Sequence, residues 1–485
     1  MSLKKILHDS LHLAGRRVWS LILSIVTSYV VARALGPSQY GALAIWTLIP
    51  SLALFGGVGW DQAARRELSH LRGRGDLEAA RRVRNTVYVA ELALASCWAV
   101  VAIVVAVIVP RWSMRCGVLV SAAGMIIAKL NQLYVLDAFV EKNFPLQAKV
   151  EATVATVGAA LKMAAAAFFG ALGTLTSTVL ATLFGVWLYS RSQRLCLTPS
   201  IDWAELKRLT RIGWPLALAT LLSSTSGLMI YLQRSLIGSL GGMEMLGLVV
   251  FASSLVTMLI SFLGDCLQAY QPHLLEALGK TPSREEIVAW MVKPSVALAY
   301  GTAIVGSCLL ALLPGLITLC LPRYAALIPW LPLFFMEAFL WCVATLPATF
   351  LASAFANQQW YYMRIWAVAV ALFGAALWVM LRRGWGLAAA PVAGIVAALA
   401  VAALTVWKAY AYYIDDWRIA LAHLTEQLLP LLYVLAVHAG AYGLMAAGRL
   451  TVWWLIPLTV AVSCAPLLWL AERRFQLRQR VLVSS

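Results

Sequence analysis

The chain has 485 residues, of which 62% are hydrophobic and only 12% are charged. That balance excludes a water-soluble globular protein, because too little polar surface would remain to face water. The 38 lysines and arginines exceed the 21 acidic residues and give a formal net charge of +17. In a soluble protein this charge would indicate a nucleic-acid partner, but in a polytopic membrane protein the positions of the basic residues decide its meaning.

A membrane hairpin opens the chain. The apolar segment 19–35 can cross most of the hydrocarbon layer, which is roughly 30 Å thick, at about 1.5 Å per residue. Gly36, Pro37 and Ser38 follow it, and they predict a turn because proline cannot continue the helix and glycine tolerates the reversal. A basic segment precedes the apolar one without a small-residue cleavage site, which predicts an uncleaved anchor instead of a signal peptide.

Apolar segments continue along the whole chain, and we predict an all-α membrane protein with about fourteen transmembrane helices. The predicted spans are 17–35, 42–60, 86–109, 117–139, 148–169, 172–190, 214–238, 246–270, 294–318, 325–350, 365–381, 385–408, 428–446 and 452–471.

A faint repeat relates the two parts of the chain. Gly36 and Gly41 at the start of span 2 correspond to Gly242 and Gly247 at the start of span 8. The repeat predicts two six-helix lobes of the same orientation with two appended C-terminal helices, and a working cavity enclosed between the lobes. The predicted segments are 1–212, 213–427 and 428–485.

Basic residues assort to one side of the membrane. If the N-terminus is cytoplasmic, 28 of the lysines and arginines lie in cytoplasmic segments and 7 on the opposite side. We therefore expect a multi-pass protein of the inner (plasma) membrane with both termini cytoplasmic, and no nucleic-acid partner. The net charge reflects topology and attraction to membrane lipids. The connections 61–85, 191–212 and 271–293 have the pattern of amphipathic surface helices.

Enzyme and metal signatures are weak. No outer loop exceeds roughly ten residues, so there is no room for the external catalytic domain of a membrane glycosyltransferase or polymerase. The triplet 279–281 lacks the upstream glycine of a phosphate-binding loop, since Leu274 stands there. His8 and His12 have no third ligand, and the cysteines show no paired spacing. We expect no ATP hydrolysis, no metal and no cofactor.

The N-terminal segment resembles a known family. Val31 to Gly41, followed by Gly59, the run 61–63 and the run 65–67, looks like the signature of polysaccharide flippases. These belong to the multidrug/oligosaccharidyl-lipid/polysaccharide exporter superfamily, which includes the lipid II flippases and the multidrug and toxin extruders. Family members often carry an Asp-Arg pair late in span 7, whereas Gln233-Arg234 here keeps the cation and loses the acid.

The resemblance implies translocation of an undecaprenyl-diphosphate-linked oligosaccharide from the cytoplasmic to the periplasmic leaflet by alternating access. A polysaccharide polymerase and glycosyltransferases would be its functional partners. The diphosphate and its glycan cannot cross hydrocarbon unaided, whereas the polyprenyl tail can remain in lipid. The protein must therefore supply a hydrated, cationic cavity.

Three cations inside the spans fit that demand. Lys129 lies in the middle of span 4, Lys162 in the middle of span 5, and Arg234 near the outer end of span 7. A cation at the bilayer centre costs roughly 2.5–3.5 kcal/mol, so we expect the two lysines to face an interior. All three cations are candidates for binding substrate phosphate. Arg16 and Arg17, at the mouth of span 1, are candidates for the first substrate contact, and retention of topology explains them equally well.

Structural roles are the alternative for the same cations. Arg234 could snorkel to the outer interface, and the lysines could neutralise an intramembrane acid such as Glu91, Asp265 or Glu337. Asp265 in span 8 and Glu337 in span 10 lie far from the loops, which makes them candidates for ion coupling. The alternatives are a static ion pair at these acids and transport driven directly by the membrane potential.

Two other functions stay open. A cation-coupled antiporter of small molecules or drugs could use the same fold, and an acidic cavity without the three cations would favour it. A membrane enzyme acting on lipid-linked sugars would have to make or break a bond in its substrate.

Overall fold

Helices make up the regular structure wherever the chain is described. The structure is a computed structural model that describes residues 3–55, 59–73, 76–141, 143–192, 200–223, 227–255, 258, 274, 283–353, 355–356, 358–446 and 452–475. Within these ranges eight helices are long and apolar enough to cross a membrane. The all-α polytopic membrane fold predicted from the sequence is confirmed.

The chain divides into two compact units, Met1–Gly247 and Leu248–Ser485. The helices of the first unit are α1 (Leu3–Phe55), α2 (Trp60–Gly73), α3 (Leu77–Ile108), α4 (Trp112–Val140), α5 (Phe144–Ser192), α6 (Trp203–Ser223), α7 (Leu228–Leu240) and the start of α8 (Gly242–Leu255). Within this unit α7 packs on α1. The lobe boundary at residue 212 stays a prediction.

The segments α1 and α5 each consist of two helices, one for each of two predicted spans, joined at a glycine. Gly36 in α1 has φ +70° and Gly170 in α5 has φ +64°, a backbone region that favours glycine. The two breaks are tied together, because the Gln39 side-chain oxygen accepts a hydrogen bond from the backbone N–H of Ala171 at 3.3 Å. The helices α1 and α5 pack against each other.

A proline inside α1 leaves one backbone carbonyl of that helix available to accept a hydrogen bond from the neighbouring helix α4. Pro50 has no N–H, so the carbonyl of Trp46 lacks its usual helical partner. The Ser121 hydroxyl of α4 donates to that carbonyl at 3.0 Å. The Trp46 indole is buried against Gly117 of α4, where a Cβ atom would overlap the ring. The α1–α4 interface is therefore fixed by both polar and apolar contacts.

The first amphipathic connection forms α2, as its pattern predicts. The indole N–H of Trp60 donates to the Thr210 hydroxyl of α6 at 2.8 Å, and Arg208 of α6 forms an ion pair with Glu67 at 3.0 Å. The apolar face of α2 contributes Leu68 to a buried cluster with Val87 of α3. The helix is thus attached to α3 and α6.

From residue 283 onward, the described residues of the second unit form six α-helices and two short 3₁₀ segments. Its helices are α9 (Arg284–Cys320), α10 (Leu331–Ala352), α11 (Gln359–Arg382), α12 (Ala389–Tyr410), α13 (Trp417–Ala446) and α14 (Val452–Phe475), and its 3₁₀ segments are Pro322–Trp330 and Gly386–Ala388. A capping box between Ser283 and Glu286 fixes the start of α9. The helices α13 and α14, which we predict as appended, pack on α9.

Candidate functional site

Lys129 is held in a buried ion pair. Its ammonium nitrogen lies 2.7 Å from Oε2 of Glu91 on α3, and the two side chains are 1% and 0% exposed. The ammonium also donates to the Gln132 side-chain oxygen at 2.9 Å. This arrangement corresponds to the ion-pair alternative for Lys129. A contact between Lys129 and substrate phosphate stays a prediction that requires the pair to open.

A polar network extends from this pair to the start of α2. The Gln132 amide donates to Oδ2 of Asp61 at 3.0 Å, and the backbone N–H of Asp61 donates to Oε1 of Glu91 at 3.2 Å. Asp61 and Glu91 are functional candidates that the sequence did not single out as site residues. In the sequence, Glu91 is an acid inside predicted span 3 and Asp61 is an acid directly after predicted span 2. The sequence does not show that the two residues lie close together.

Lys162 has a different environment, since it lines an open cavity of about 310 Å³ between the first part of α1 and both parts of α5. Small residues such as Gly158 and Ala155 leave the space. The other polar residues of the lining all carry hydroxyl groups. They are Ser20, Ser24, Thr27, Ser28, Thr178 and Thr182.

The hydroxyl groups of α1 follow a helical period. Residues 20, 24, 27 and 28 are spaced by three and four positions, so they share one face of the helix. This stripe is a signal that sequence reasoning could have used, although it points to a cavity only once α5 is known to face it. The hydroxyl of Thr27 is buried and has no hydrogen-bond partner among the described residues.

The electrostatics of the cavity favour anions. Among the described residues, no acid lines the cavity and no carboxylate forms an ion pair with Lys162. An ammonium group and several hydroxyl groups supply hydrogen-bond donors to an oxyanion or to sugar hydroxyls. The cavity can therefore hold a phosphate group or part of a glycan.

Arg234 binds the backbone of α1. Its guanidinium donates to the carbonyl of Ala44 at 2.7 Å and to the hydroxyl of Thr47 at 3.2 Å. One turn earlier on α7, the Tyr231 hydroxyl donates to the carbonyl of Leu48 at 3.2 Å. In the part of the chain that the structure describes, no carboxylate pairs with Arg234. Its positive charge is half-buried and held by neutral groups.

Glu337 lies on α10 and faces α12. A Cβ atom on Gly394 of α12 would overlap the Glu337 carboxyl group, which also lies beside the Trp341 side chain. Trp341 stacks on Trp366 of α11 with ring centroids 5.0 Å apart. Among the described residues Glu337 has no basic partner. Its role in ion coupling stays a prediction.

Three other predicted site residues cannot be located at side-chain level. Arg16 and Arg17 belong to α1, but their side chains lie outside the described part of the structure. Asp265 lies outside the described residues altogether.

Sequence comparison places the chain in a family. The family model described as "Polysaccharide biosynthesis protein" matches residues 30–273, half of the chain. The chain belongs to this family. The matched region includes Glu91, Lys129, Lys162 and Arg234. No curated protein sequence matches the chain.

Solved structures share the fold at low sequence identity. An inward-facing multidrug resistance MATE family transporter of the MOP superfamily has 14% identity and a TM-score of 0.63, with coverage of 82% of this chain and 96% of that one. A Vibrio cholerae MATE transporter variant has 16% identity and a TM-score of 0.56 over 84% and 97% of the two chains. A MOP superfamily transporter from Pyrococcus furiosus has 15% identity and a TM-score of 0.54 over 83% and 96%. The chain has the MATE-type membrane fold.

Proposed function

We propose that this protein is a transporter, a flippase that moves a polyprenyl-diphosphate-linked oligosaccharide from the cytoplasmic to the periplasmic leaflet for cell-surface polysaccharide synthesis. Membership of the polysaccharide biosynthesis family and the MATE-type fold support this proposal. The observation that carries it is Lys162, an intramembrane cation that lines a hydroxyl-bearing cavity with no acid in its lining.

The chemistry of the substrate explains why such a cavity is useful. The free-energy cost of moving a diphosphate through hydrocarbon is very high. An ammonium group inside the membrane offsets part of that cost through charge-assisted hydrogen bonds. The same ammonium would be costly if it faced lipid. Hydroxyl groups around it can bind either phosphate oxygens or sugar hydroxyls. The polyprenyl tail can stay in the bilayer while the polar group moves.

Arg234 is a second candidate for binding the diphosphate. Only part of its donor capacity is used by Ala44 and Thr47, and a guanidinium has five N–H donors. Lys129 would join them after separation from Glu91. Arg16 and Arg17 would meet the substrate first at the cytoplasmic side.

A cation-coupled antiporter of small molecules is the second candidate function. Similarity to multidrug MATE transporters favours it, and Glu337, an acid with no described basic partner, is the kind of group that it would need. A cationic drug would be repelled by Lys162, which favours the flippase. A membrane enzyme acting on lipid-linked sugars is the third candidate.

The orientation is part of the proposal. We expect an inner-membrane protein with both termini cytoplasmic that works beside a polysaccharide polymerase and glycosyltransferases. The side chains of Arg82, in the first part of α3, and Arg111, just after the end of α3, are both exposed. In a cysteine-free background, Arg82→Cys should be labelled only from the cytoplasm and Arg111→Cys only from the periplasm. Equal labelling of both from outside would contradict this topology.

Transport by the purified protein tests the proposal. Proteoliposomes receive a labelled polyprenyl-diphosphate oligosaccharide, and its appearance in the opposite leaflet is measured for the wild type, Lys162→Gln and Lys162→Arg. Loss of one charge-assisted hydrogen bond, worth about 1.5–3 kcal/mol, should lower the rate roughly tenfold or more in the glutamine variant, with partial recovery in the arginine variant. Lys149→Gln, which changes an exposed lysine of the same helix, is the control.

Three results would contradict the proposal. Wild-type rates in Lys162→Gln at equal protein abundance would remove Lys162 from the site. Failure of the wild type to move the labelled lipid, together with transport of a cationic drug, would favour the antiporter. A change in the mass of the labelled lipid would indicate an enzyme.

A further inference from the structure

A stripe of polar side chains runs along the α3–α4 interface. Near the start of α3, Arg84 forms an ion pair with Asp137 at 3.5 Å, and the Tyr88 hydroxyl donates to the same carboxylate at 3.3 Å. Arg84 is 19% exposed, whereas Asp137 and Tyr88 are buried. The stripe therefore begins at the surface and continues inward.

The inner part of the stripe is the Glu91–Lys129 pair. Residues 84, 88 and 91 share one face of α3, and residues 129, 133 and 137 share one face of α4. Glu91 lies seven residues beyond Arg84, about 10 Å deeper along the helix axis. Tyr88 stands between the two ion pairs and also donates to the carbonyl of Leu133 at 3.4 Å. Polar side chains thus lie along the α3–α4 interface from the surface to the interior.

Among the side chains that the structure describes, the charges of the inner network do not balance. The described charged groups that face Glu91 are Lys129 of α4 and Asp61 of α2, and Gln132 joins these two through its amide. Two carboxyl groups share one ammonium group in this described network. A net negative charge inside a membrane protein is costly, and one bound proton would make the network neutral.

We propose that Glu91 is a proton-binding site and that Lys129 is its alternating partner. When Glu91 is ionised, Lys129 pairs with it, as in the structure. When a proton from water binds a Glu91 carboxyl oxygen, the attraction weakens and the Lys129 ammonium, which already donates to Gln132, moves from Glu91 toward Asp61. Lys129 keeps its own proton throughout. Coupling of this switch to movement of the lipid-linked oligosaccharide rests on the proposed function, whereas proton binding itself does not.

A static structural pair is the competing explanation, and a charge-neutral double variant separates the two. Glu91→Gln/Lys129→Gln removes both charges and leaves two amides that can hydrogen-bond to each other. Because Lys129 also belongs to the proposed binding site, the measured quantity is the ratio of the transport rates with and without an imposed pH gradient, not the absolute rate. If the pair only holds α3 to α4, this ratio in the double variant should equal the wild-type ratio, which would overturn the proposal. If Glu91 binds the driving proton, transport should become independent of the gradient while the protein stays folded.

A spectroscopic test needs no transport. Infrared difference spectra of the purified protein between acidic and alkaline buffer should contain the C=O band of a carboxyl group that gains a proton. The band should disappear in Glu91→Gln and remain in Glu151→Gln, in which the altered acid is half-buried on α5 and accepts a hydrogen bond from Gln147. An unchanged band in Glu91→Gln would overturn the proposal. Failure of the flippase proposal would leave this result unaffected.

Discussion

Gly41 and Gly247 lie in direct backbone contact inside the first unit. A Cβ atom on Gly41 would overlap the carbonyl oxygen of Met243, and a Cβ atom on Gly247 would overlap the carbonyl oxygen of Pro37. The contact is reciprocal, because in the sequence repeat Gly41 corresponds to Gly247 and Pro37 to Met243. Two equivalent turns of the chain therefore pack on each other, and each requires glycine.

Alanine at either glycine should destabilise the protein. Alanine is a better helix former than glycine by about 1 kcal/mol, but the clash with a backbone carbonyl should outweigh this gain and cost about 1–3 kcal/mol. We expect Gly41→Ala and Gly247→Ala to lower the thermal unfolding temperature of the purified protein. Gly301→Ala on α9, where a Cβ atom would meet open space, is the control. Equal stability of all three variants would contradict the close contact.

The repeat shows what sequence can and cannot reveal about this fold. Hydropathy located the apolar spans and a pattern of glycines related two turns, because both signals are local. The contact between Gly41 and Gly247 is not local, since it depends on how α1 and α8 pack. The helical path breaks at Gly36 in α1 and at Gly170 in α5, where φ is positive, and the turn that the sequence predicts at residues 36–38 lies at the first of these breaks.

The site shows the same limit. The cost of inserting a cation into the bilayer identifies Lys129 and Lys162 as residues that need an interior, but it does not decide what each one contacts. Glu91 as the partner of Lys129 is set by the register of α3 on α4. The hydroxyl lining around Lys162 was not predicted, because serine and threonine are ordinary residues in membrane helices and acquire meaning only when α1 and α5 face each other.

Filling the cavity should impair binding without any change of charge. Ala155→Leu would put a larger apolar side chain into the space lined by Lys162, while the lysine and the hydroxyl groups remain. We expect transport of the labelled lipid-linked oligosaccharide to fall several-fold, with thermal stability unchanged or slightly raised. Ala164→Leu, at an exposed position of the same helix, is the control. Normal transport by Ala155→Leu would show that the substrate does not use this cavity.

Arg234 and Tyr231 make similar contacts with α1 but differ in charge, and this difference separates structural from functional roles. Tyr231→Phe removes neutral hydrogen bonds to Leu48 and Ser51 and should cost about 1 kcal/mol of stability. Arg234→Gln removes a charged donor to Ala44 and should cost about 1.5–3 kcal/mol. Thermal unfolding measures both effects.

Transport per folded molecule then distinguishes the two residues. It should be near the wild-type value for Tyr231→Phe and clearly lower for Arg234→Gln, because only the latter loses a cation that can bind phosphate. If both variants transport normally once corrected for folded protein, Arg234 serves only to hold α7 against α1.

We expect position 394 to require glycine only while the Glu337 carboxyl group is present. A Cβ atom on Gly394 would overlap the Glu337 carboxyl group, so Gly394→Ala forces that side chain out of its position and should cost about 1–2 kcal/mol. With Glu337→Ala the carboxyl group is absent, and the better helix former should then be neutral or stabilising. A double-mutant cycle on thermal unfolding should therefore give a coupling of more than about 0.5 kcal/mol. Additive effects of the two changes would mean that the carboxyl group does not lie against α12.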